Sequence, residues 1–461
     1  MKWGRVKCCS AMGFGGSRSL QILLLILACG AYFWFQVWTA GHHLNSNDFK
    51  HIYLGMKALL DGTSPYSFNA LHHQAALQGY HRISLNPYVY LPFTGQAMAF
   101  LAPFRLDAAV LVWFFLNHGF LGISLWILSG LWPRWRLGAL AVLVAAMAGN
   151  FALFRTLTAG QLNLALLFMI CLSWKLQRDN RGVAAGALMA VAALYKLMPG
   201  IFLLYFLLHR RWRAAATMAA TGFVLLGIST LLAGWRVTAD FLPELRQMSY
   251  GKSTWPKVFS FWDDPPNQSL NSFFTHVMAR NDHTQPWVIL SQGWANAATV
   301  FATALLFLVY VWAVLLSLRR EAWLAGNPQR DAVSAADCAW SATLILGLLI
   351  PSLMWDHYLV MLVLPVAILV KAAGQMHRVA AGIVVCICYG ATAVPWNFES
   401  PAWRAGAGIL LMSLKLWPTM LLFGLSLCFG GWLAVAATSR RRGNSGSFDV
   451  NISNPETSKS R

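Results

Sequence analysis

The chain has 461 residues, of which 57% are hydrophobic and only 11% are charged, whereas a soluble domain carries about 25% charged residues. This composition excludes a water-soluble globular enzyme, and apolar runs of about 17–25 residues recur along the chain, as in multi-pass membrane proteins. The net charge of +19 does not indicate a nucleic-acid partner, because most Lys and Arg residues lie between apolar runs, where basic residues determine membrane orientation.

The first apolar run, 20–39, predicts a membrane-spanning helix. It follows a basic N-terminus, 1–19, without a clear cleavage site, so an uncleaved signal anchor is expected. Backbone groups in lipid must be paired within their own segment, and the ten-residue alternation of an outer-membrane barrel is missing from the sequence. The expected fold class is therefore an all-α polytopic membrane protein.

Short basic loops separate the later apolar runs and predict the cytoplasmic side, which they share with the N-terminus. These loops are 133–136, 175–181, 209–213, 319–330, 371–378 and 439–442. The transmembrane domain is then 20–437, with long exoplasmic loops at 40–107 and 236–290. A polar cytoplasmic tail, 438–461, is expected to be disordered.

Twelve crossings result if 183–208 is a hairpin of two short helices that turns near Lys196 and Pro199. Both ends of this run are basic, which places both in the cytoplasm, and 88–104 is then a re-entrant or interfacial helix. The alternative makes 183–208 one span and 88–104 a full crossing. It also gives twelve crossings, but it places two basic loops on the exoplasmic side, so the hairpin is preferred.

Chemistry is expected on the exoplasmic side, which receives ten of the sixteen acidic residues and nine of the twelve histidines. No metal-ligand spacing, Walker A or GxSxG pattern occurs, so no metal and no cofactor is expected. The eight cysteines lie in spans or in the N-terminal tail, which argues against a disulfide framework. Cys8 and Cys9 are candidates for acylation, or are ordinary residues.

Asp48 lies a few residues beyond the first span. Asn47 is a candidate N-cap for a helix that starts near Phe49, and the apolar residues that follow at helical spacing, with charged residues on the other face, predict an interfacial helix that Gly62 ends. Asp48 is then either an acid favoured by the helix dipole or a catalytic base at the membrane surface.

Lys196 lies deep in an apolar stretch, where an ionisable group indicates function unless its side chain reaches the interface. A lipid phosphate is its natural partner, and Arg155 could clamp the same group. Gln161 and Asn163 open the next span, where their amides would bind sugar hydroxyls or join helices.

Two polar stretches follow on the exoplasmic side. Asn267 and Gln268 belong to NQSLN, which is a weak glycosylation pattern or a loop that folds back over a site. Asp356, His357 and Tyr358 belong to WDHY, which either binds phosphate and transfers protons or forms part of an interfacial aromatic belt.

Six motifs in order resemble glycosyltransferase family 87 of the GT-C superfamily, which comprises polyprenyl-phosphate-mannose-dependent α-mannosyltransferases. The motifs run from residue 47 to about 365. They are NDFKHIYLGMKALLDGTSPY, YVYLPF…LAPF, GQLNLALLF, LYKLMPGIFLLYFLLHRRWR, NQSLN and WDHYLVMLVLP.

The resemblance implies a GT-C fold with an exoplasmic active site, a polyprenyl-phosphate sugar rather than a nucleotide sugar as donor, and Asp48 as the essential acid. Lys196, Arg155 and His357 are then the candidates for binding the donor phosphate. The candidates for binding substrate are Tyr53, Gln161, Asn163, Asn267, Gln268, Asp356 and Tyr358.

In the implied reaction Asp48 acts as general base in a single, inverting displacement that needs no metal, and mannose is the expected sugar. The expected partners are the lipid-linked donor, a glycan or glycolipid acceptor and membrane lipids, in a bacterial inner membrane. The alternatives are a polysaccharide polymerase or ligase, a transporter of lipid-linked sugars, and a structural subunit. Inverted repeats typical of transporters are missing from the sequence, and a structural subunit would not explain the gathered acids.

Overall fold

A computed structural model describes residues 17–251, 261–322 and 332–445. Within these ranges the chain is helical, and its only strand-like pairings are the isolated bridges Asn267–Trp355 and Ala279–Leu290. The all-α prediction is confirmed. Cys8, Cys9 and most of the basic N-terminus lie outside the described residues, as do 323–331 and the tail after 445.

The helices follow one another closely, joined in most places by short turns. In chain order they are α1 (Arg18–Tyr32), α2 (Ala40–His42), α3 (Asn47–Leu60), α4 (Phe68–Leu77), α5 (Pro92–Ala97), α6 (Leu106–Ser129), α7 (Arg136–Ala148), α8 (Phe151–Ala159), α9 (Asn163–Arg178), α10 (Gly182–Tyr195), α11 (Phe202–Leu208), α12 (Trp212–Ala233), α13 (Trp235–Ala239), α14 (Phe241–Gln247), α15 (Leu270–Met278), α16 (Gln292–Ala322), α17 (Ala335–Leu349), α18 (Val363–Gln375), α19 (Val379–Ala393), α20 (Gly408–Met412) and α21 (Leu416–Ser445). A π-helix, Phe33–Thr39, joins α1 to α2, and 3₁₀ turns cover Ala99–Leu101, Pro133–Trp135, Met198–Ile201, Asp356–Leu362 and Pro401–Trp403.

Among the described residues, six helical stretches are long and apolar enough to cross a membrane alone. They are Arg18–His42, Leu106–Ser129, Trp212–Ala233, Gln292–Arg319, Asp356–Gln375 and Leu416–Val435. A seventh is the pair Pro133–Ala148 and Phe151–Ala159, bent by 69°. Shorter apolar helices add to them, and large apolar side chains such as Phe223 (80% exposed) and Leu231 (86% exposed) cover the outside. Such a surface belongs in lipid, so the chain is a multi-pass membrane protein.

The predicted hairpin at 183–208 is confirmed by the contacts of α10 and α11. The Tyr205 hydroxyl donates to the carbonyl of Ala336 at the start of α17, whereas Met198 lies against Gly347 at the end of α17. α11 therefore runs antiparallel to α17. Gly182, at the start of α10, lies beside Ala214 at the start of α12, so both basic ends of the hairpin lie at one end of the bundle and its turn lies at the other.

The segment 88–104 does not cross the bundle, which the preferred topology also expected. It contains only the short helix α5 and one 3₁₀ turn. Thr94 donates to the carbonyl of Tyr195, beside the hairpin turn, and Gln96 donates to the carbonyl of Ser229 near the end of α12. The segment therefore packs at the end of the bundle that holds the hairpin turn.

Four shorter apolar helices, Gly182–Tyr195, Met198–Leu208, Ala335–Leu349 and Val379–Ala393, accompany the long stretches among the described residues. The count of twelve crossings stays a prediction. Which face of the membrane each end occupies stays a prediction. α21 continues to Ser445, beyond the expected end of the last span at 437, so residues 438–445 are helical.

Candidate active site

Asp48 lies in the first turn of α3, where the helix dipole favours a carboxylate. The helix begins after Ser46, whose φ of 47° is left-handed, and the amides of Asn45 and Ser46 both donate to the carbonyl of Thr158. Asn47 is therefore the first helical residue, and the prediction that it caps the helix is wrong. The chain reversal between α2 and α3 is held by the end of α8.

Gly160 brings α8 and α3 into close contact. Its φ is 71°, and a Cβ atom at this position would lie 2.6 Å from the Cβ of Phe49. The Gly160 carbonyl also accepts a hydrogen bond of 3.0 Å from the indole of Trp113, whose ring stacks on Phe49. This small residue thus determines how closely the Asp48 turn approaches the bundle.

The α3 helix is not interfacial, because both of its faces are covered. His51, expected on the exposed face, is 3% exposed and stacks on Tyr90. Tyr53 is fully buried, its hydroxyl donates to the carbonyl of Phe104, and it does not line the cavity described below, so its role in binding substrate stays a prediction. Gly62, with a φ of 71°, follows the end of the helix as predicted.

A cavity of about 510 Å³ opens beside the start of α3, within the size range of small-molecule sites. Its walls come from the α2–α3 turn, 86–91, the end of α8, the hairpin turn at 194–198, α14, 261–266 and 347–361. Six of the predicted site residues line it: Asp48, Arg155, Gln161, Lys196, His357 and Tyr358.

Asp48 and Lys196 face this cavity together. The amide of Asn86, which the sequence analysis missed, donates to Asp48 Oδ1 at 3.4 Å. Lys196 occupies the hairpin turn with its Nζ 3.6 Å from the ring centre of Tyr358, and it donates to Asn163 Oδ1 at 3.4 Å. Burial lowers the pKa of Lys196 to about 7, although the negative charge of Asp48 opposes this shift. A carboxyl group and a lysine amine therefore share one chamber.

Arg155 is held at the cavity wall by a buried carboxylate. Its Nη1 lies 2.9 Å from Asp356 Oδ1, and Lys415 Nζ lies 3.8 Å from Asp356 Oδ2. Asp356 and Lys415 are both fully buried and neither lines the cavity, so the contact of Asp356 with substrate stays a prediction. Lys415 was missed, although a lysine at the end of the bundle assigned to the exoplasm departs from the positive-inside pattern and could have drawn attention to it.

Three predicted amides lie behind the cavity. Asn163 donates to the carbonyl of His357 at 3.3 Å, Asn267 donates to the carbonyls of Phe261 and Ser352, each at 3.0 Å, and Gln268 donates to the carbonyl of Pro265 at 2.9 Å. All three are buried. They satisfy backbone carbonyls that would otherwise be buried without a donor, and their contact with substrate stays a prediction.

The model of glycosyltransferase family 87 matches residues 88–327. The chain belongs to glycosyltransferase family 87. A relative from Mycobacterium tuberculosis (strain ATCC 25618 / H37Rv), a polyprenol-phosphate-mannose-dependent alpha-(1-2)-phosphatidylinositol mannoside mannosyltransferase, is 26% identical over 429 residues, which cover 86% of this chain and 88% of the relative. The protein is therefore a membrane glycosyltransferase, in preference to a transporter or a structural subunit.

Asp48 precedes the range that matches the family model, and His357 follows it, so the roles of both in this family 87 enzyme stay predictions. The same holds for a metal-free reaction. Within the described ranges, no three His, Cys, Asp or Glu side chains come together as a metal site would require.

The cavity of the family 87 enzyme has one apolar wall. Phe241, Leu245 and Met248 lie on or after α14, and Leu348 and Pro351 lie at the end of α17. Charged residues line the other parts of the same space. This arrangement suits an amphipathic ligand with an anionic head and a hydrocarbon tail.

Proposed function

We propose that this enzyme transfers mannose from a polyprenyl-phosphate donor to a glycolipid acceptor, with Asp48 as general base. The observation that supports this most strongly is the presence of Asp48 and Lys196 in one cavity that also has an apolar wall. The donor named for the mycobacterial relative has the anionic head and the hydrocarbon tail that such a cavity fits.

The donor phosphate is proposed to bind Lys196, Arg155 and His357. Lys196 supplies a compact charge, whereas the guanidinium of Arg155 offers two parallel N–H groups to the phosphate oxygens. The isoprenoid chain then lies along Phe241, Leu245 and neighbouring apolar side chains. The positive charges of Lys196 and Arg155 beside the phosphate stabilise it as a leaving group.

The acceptor hydroxyl gives its proton to an oxygen of Asp48 as the acceptor oxygen attacks the anomeric carbon. The bond between that carbon and the phosphate oxygen breaks, and polyprenyl phosphate leaves with the electron pair. A single displacement inverts the anomeric configuration. A general base of this kind contributes about 10²–10⁴-fold to the rate.

The proposed location of the site is the exoplasmic face of a bacterial inner membrane. Basic side chains such as Arg178, Arg181 and Arg213 lie at the end of the bundle opposite the cavity. The positive-inside rule assigns that end to the cytoplasm, which leaves the cavity on the other side.

The test uses purified enzyme in liposomes with radiolabelled polyprenyl-phosphate mannose and a phosphatidylinositol mannoside acceptor. Asp48→Asn is expected to lower kcat by about 10²–10⁴-fold while the KM for the donor stays close to that of the wild type. Asp107→Asn is the matched control, because Asp107 also lies in the first turn of a helix but is exposed and does not line the cavity. If Asp48→Asn is folded and transfers mannose at the rate of the control, Asp48 is not the base.

A further inference from the structure

The segment 261–268, which precedes α15, carries a carboxylate that the proposed reaction does not use. Asp264 and Phe261 both line the cavity. The amide N–H of Asn267 donates to the carbonyl of Asp264 at 2.8 Å, and the side-chain Nδ2 of Asn267 donates to the carbonyls of both Phe261 and Ser352. These buried bonds hold the backbone of Asp264 at the cavity wall.

Aromatic rings line the same cavity as this carboxylate. Phe261 packs edge-on against Trp355, with ring centres 5.8 Å apart, and Trp355 lies parallel to His357 at 6.3 Å. All three rings line the cavity. The segment therefore presents a carboxylate next to an aromatic wall.

His357 is an independent sign that a polar ligand binds here. Its side chain is only 5% exposed, and neither ring nitrogen has a hydrogen-bond partner among the described residues. Buried polar groups are nearly always paired, so a polar group of a ligand in the cavity is the natural partner.

Resting on the proposed function, we infer that Phe261, Asp264 and Trp355 form a subsite for a hexose ring. The aromatic rings would cover the apolar C–H face of the sugar, and the carboxyl group would bind neighbouring hydroxyl groups by strong hydrogen bonds. Two sources share this chemistry: the sugar that the donor carries and the terminal sugar of the glycolipid acceptor.

The charge state of Asp264 fits this role. Burial, with smaller effects from Glu399 and Asp263, raises the pKa of Asp264 to about 7, against the opposing effect of Arg155. Near neutral pH both protonation states are therefore populated, and the protonated carboxyl can also donate to a sugar oxygen.

The kinetic test compares Asp264→Asn with wild-type enzyme. We expect the KM for one substrate to rise about tenfold or more, as for loss of a hydrogen bond to a charged group, while the other KM stays within about twofold. A rise for polyprenyl-phosphate mannose, together with weaker discrimination against polyprenyl-phosphate glucose, assigns the subsite to the donor sugar. A rise for the acceptor alone assigns it to the acceptor sugar.

Glu399→Gln is the matched control, because Glu399 is exposed, contributes negative charge near Asp264 and does not line the cavity. If Asp264→Asn and Glu399→Gln give the same KM values, the subsite proposal is overturned. Trp355→Leu supplies a second variant in case Asp264→Asn does not fold, with the same expected rise in one KM.

A binding measurement separates this proposal from the proposed function. Octyl α-mannoside should raise the melting temperature of the wild type and of Glu399→Gln, but not that of Asp264→Asn. This result supports the subsite even if the wild-type enzyme transfers no mannose. Absence of mannose transfer would refute the proposed function but not the subsite. Equal shifts in all three proteins, or no shift in the wild type, would argue against the subsite.

Discussion

The Asp356→Asn substitution tests the buried charge cluster behind the cavity. In the native protein one carboxylate faces two cations: Arg155 at 2.9 Å and Lys415 at 3.8 Å. Asparagine keeps the size of the side chain but removes its charge. We therefore expect a folded but less stable protein, in which Arg155 is no longer held in one position.

The magnitude follows from the burial of each partner. Breaking a buried ion pair costs about 3–5 kcal/mol, because the remaining charge is left without compensation. The side chain of Arg155 is 35% exposed and can be hydrated in the cavity, so it contributes little to this cost. Lys415 is fully buried and its Nζ has no hydrogen-bond partner among the described residues. The expected loss is therefore near the lower limit, about 3 kcal/mol.

Denaturation in detergent micelles measures this loss as a change in the free energy of unfolding. The double variant Asp356→Asn/Lys415→Met should recover most of it, because it also removes the uncompensated buried cation. In the transfer assay Asp356→Asn should also raise the KM for the donor. A loss below about 1 kcal/mol, or no recovery in the double variant, would refute the electrostatic account of this cluster.

Three further substitutions test other parts of the fold. Burial lowers the pKa of Lys196 to about 7, so its cationic form is lost as pH rises. We therefore expect kcat/KM for the donor to fall through about pH 7, and Lys196→Arg to abolish that fall. A flat pH profile of the wild type contradicts this. Gly160→Ala should lower kcat more than it changes the donor KM. A left-handed φ costs an L-residue about 1–2 kcal/mol, and the new methyl group displaces the Asp48 turn. An unchanged kcat contradicts the inference that Gly160 positions Asp48. Asp337→Asn should lower the melting temperature without changing either KM, because Asp337 accepts hydrogen bonds from Trp174 and Arg178 at the far end of the bundle; altered KM values contradict this.

Much of the architecture follows from local patterns. Hydropathy and helix length predict membrane helices, and the positions of basic residues predicted that 183–208 turns back at Lys196. The same reasoning predicted that Asp48 and Lys196 lie at one end of the bundle, and the structure brings both into one cavity. These predictions succeed because the cost of burying charge in lipid depends mainly on the sequence of each segment.

The prediction that α3 lies along the membrane interface failed because it used only the pattern within that helix. Its alternation of apolar and charged residues predicts a helix with one exposed face, yet His51 is buried against Tyr90. The covering elements come from 86–91 and from the end of α8, both distant in sequence. A pattern within one helix contains no information about a second partner on its polar face.

The sequence by itself thus determined the fold class, the turn within 183–208 and the end of the bundle where Asp48 and Lys196 lie. Only the tertiary structure decided which polar side chains face the cavity. It placed Asn267 and Asp356 in the interior and brought Asn86 and Asp264 to the cavity wall. The physical reason is that the sequence shows the same Asn or Asp residue whether its side chain pairs with a buried backbone group, a buried cation or a ligand. Only the packing of distant segments determines which of these partners it meets.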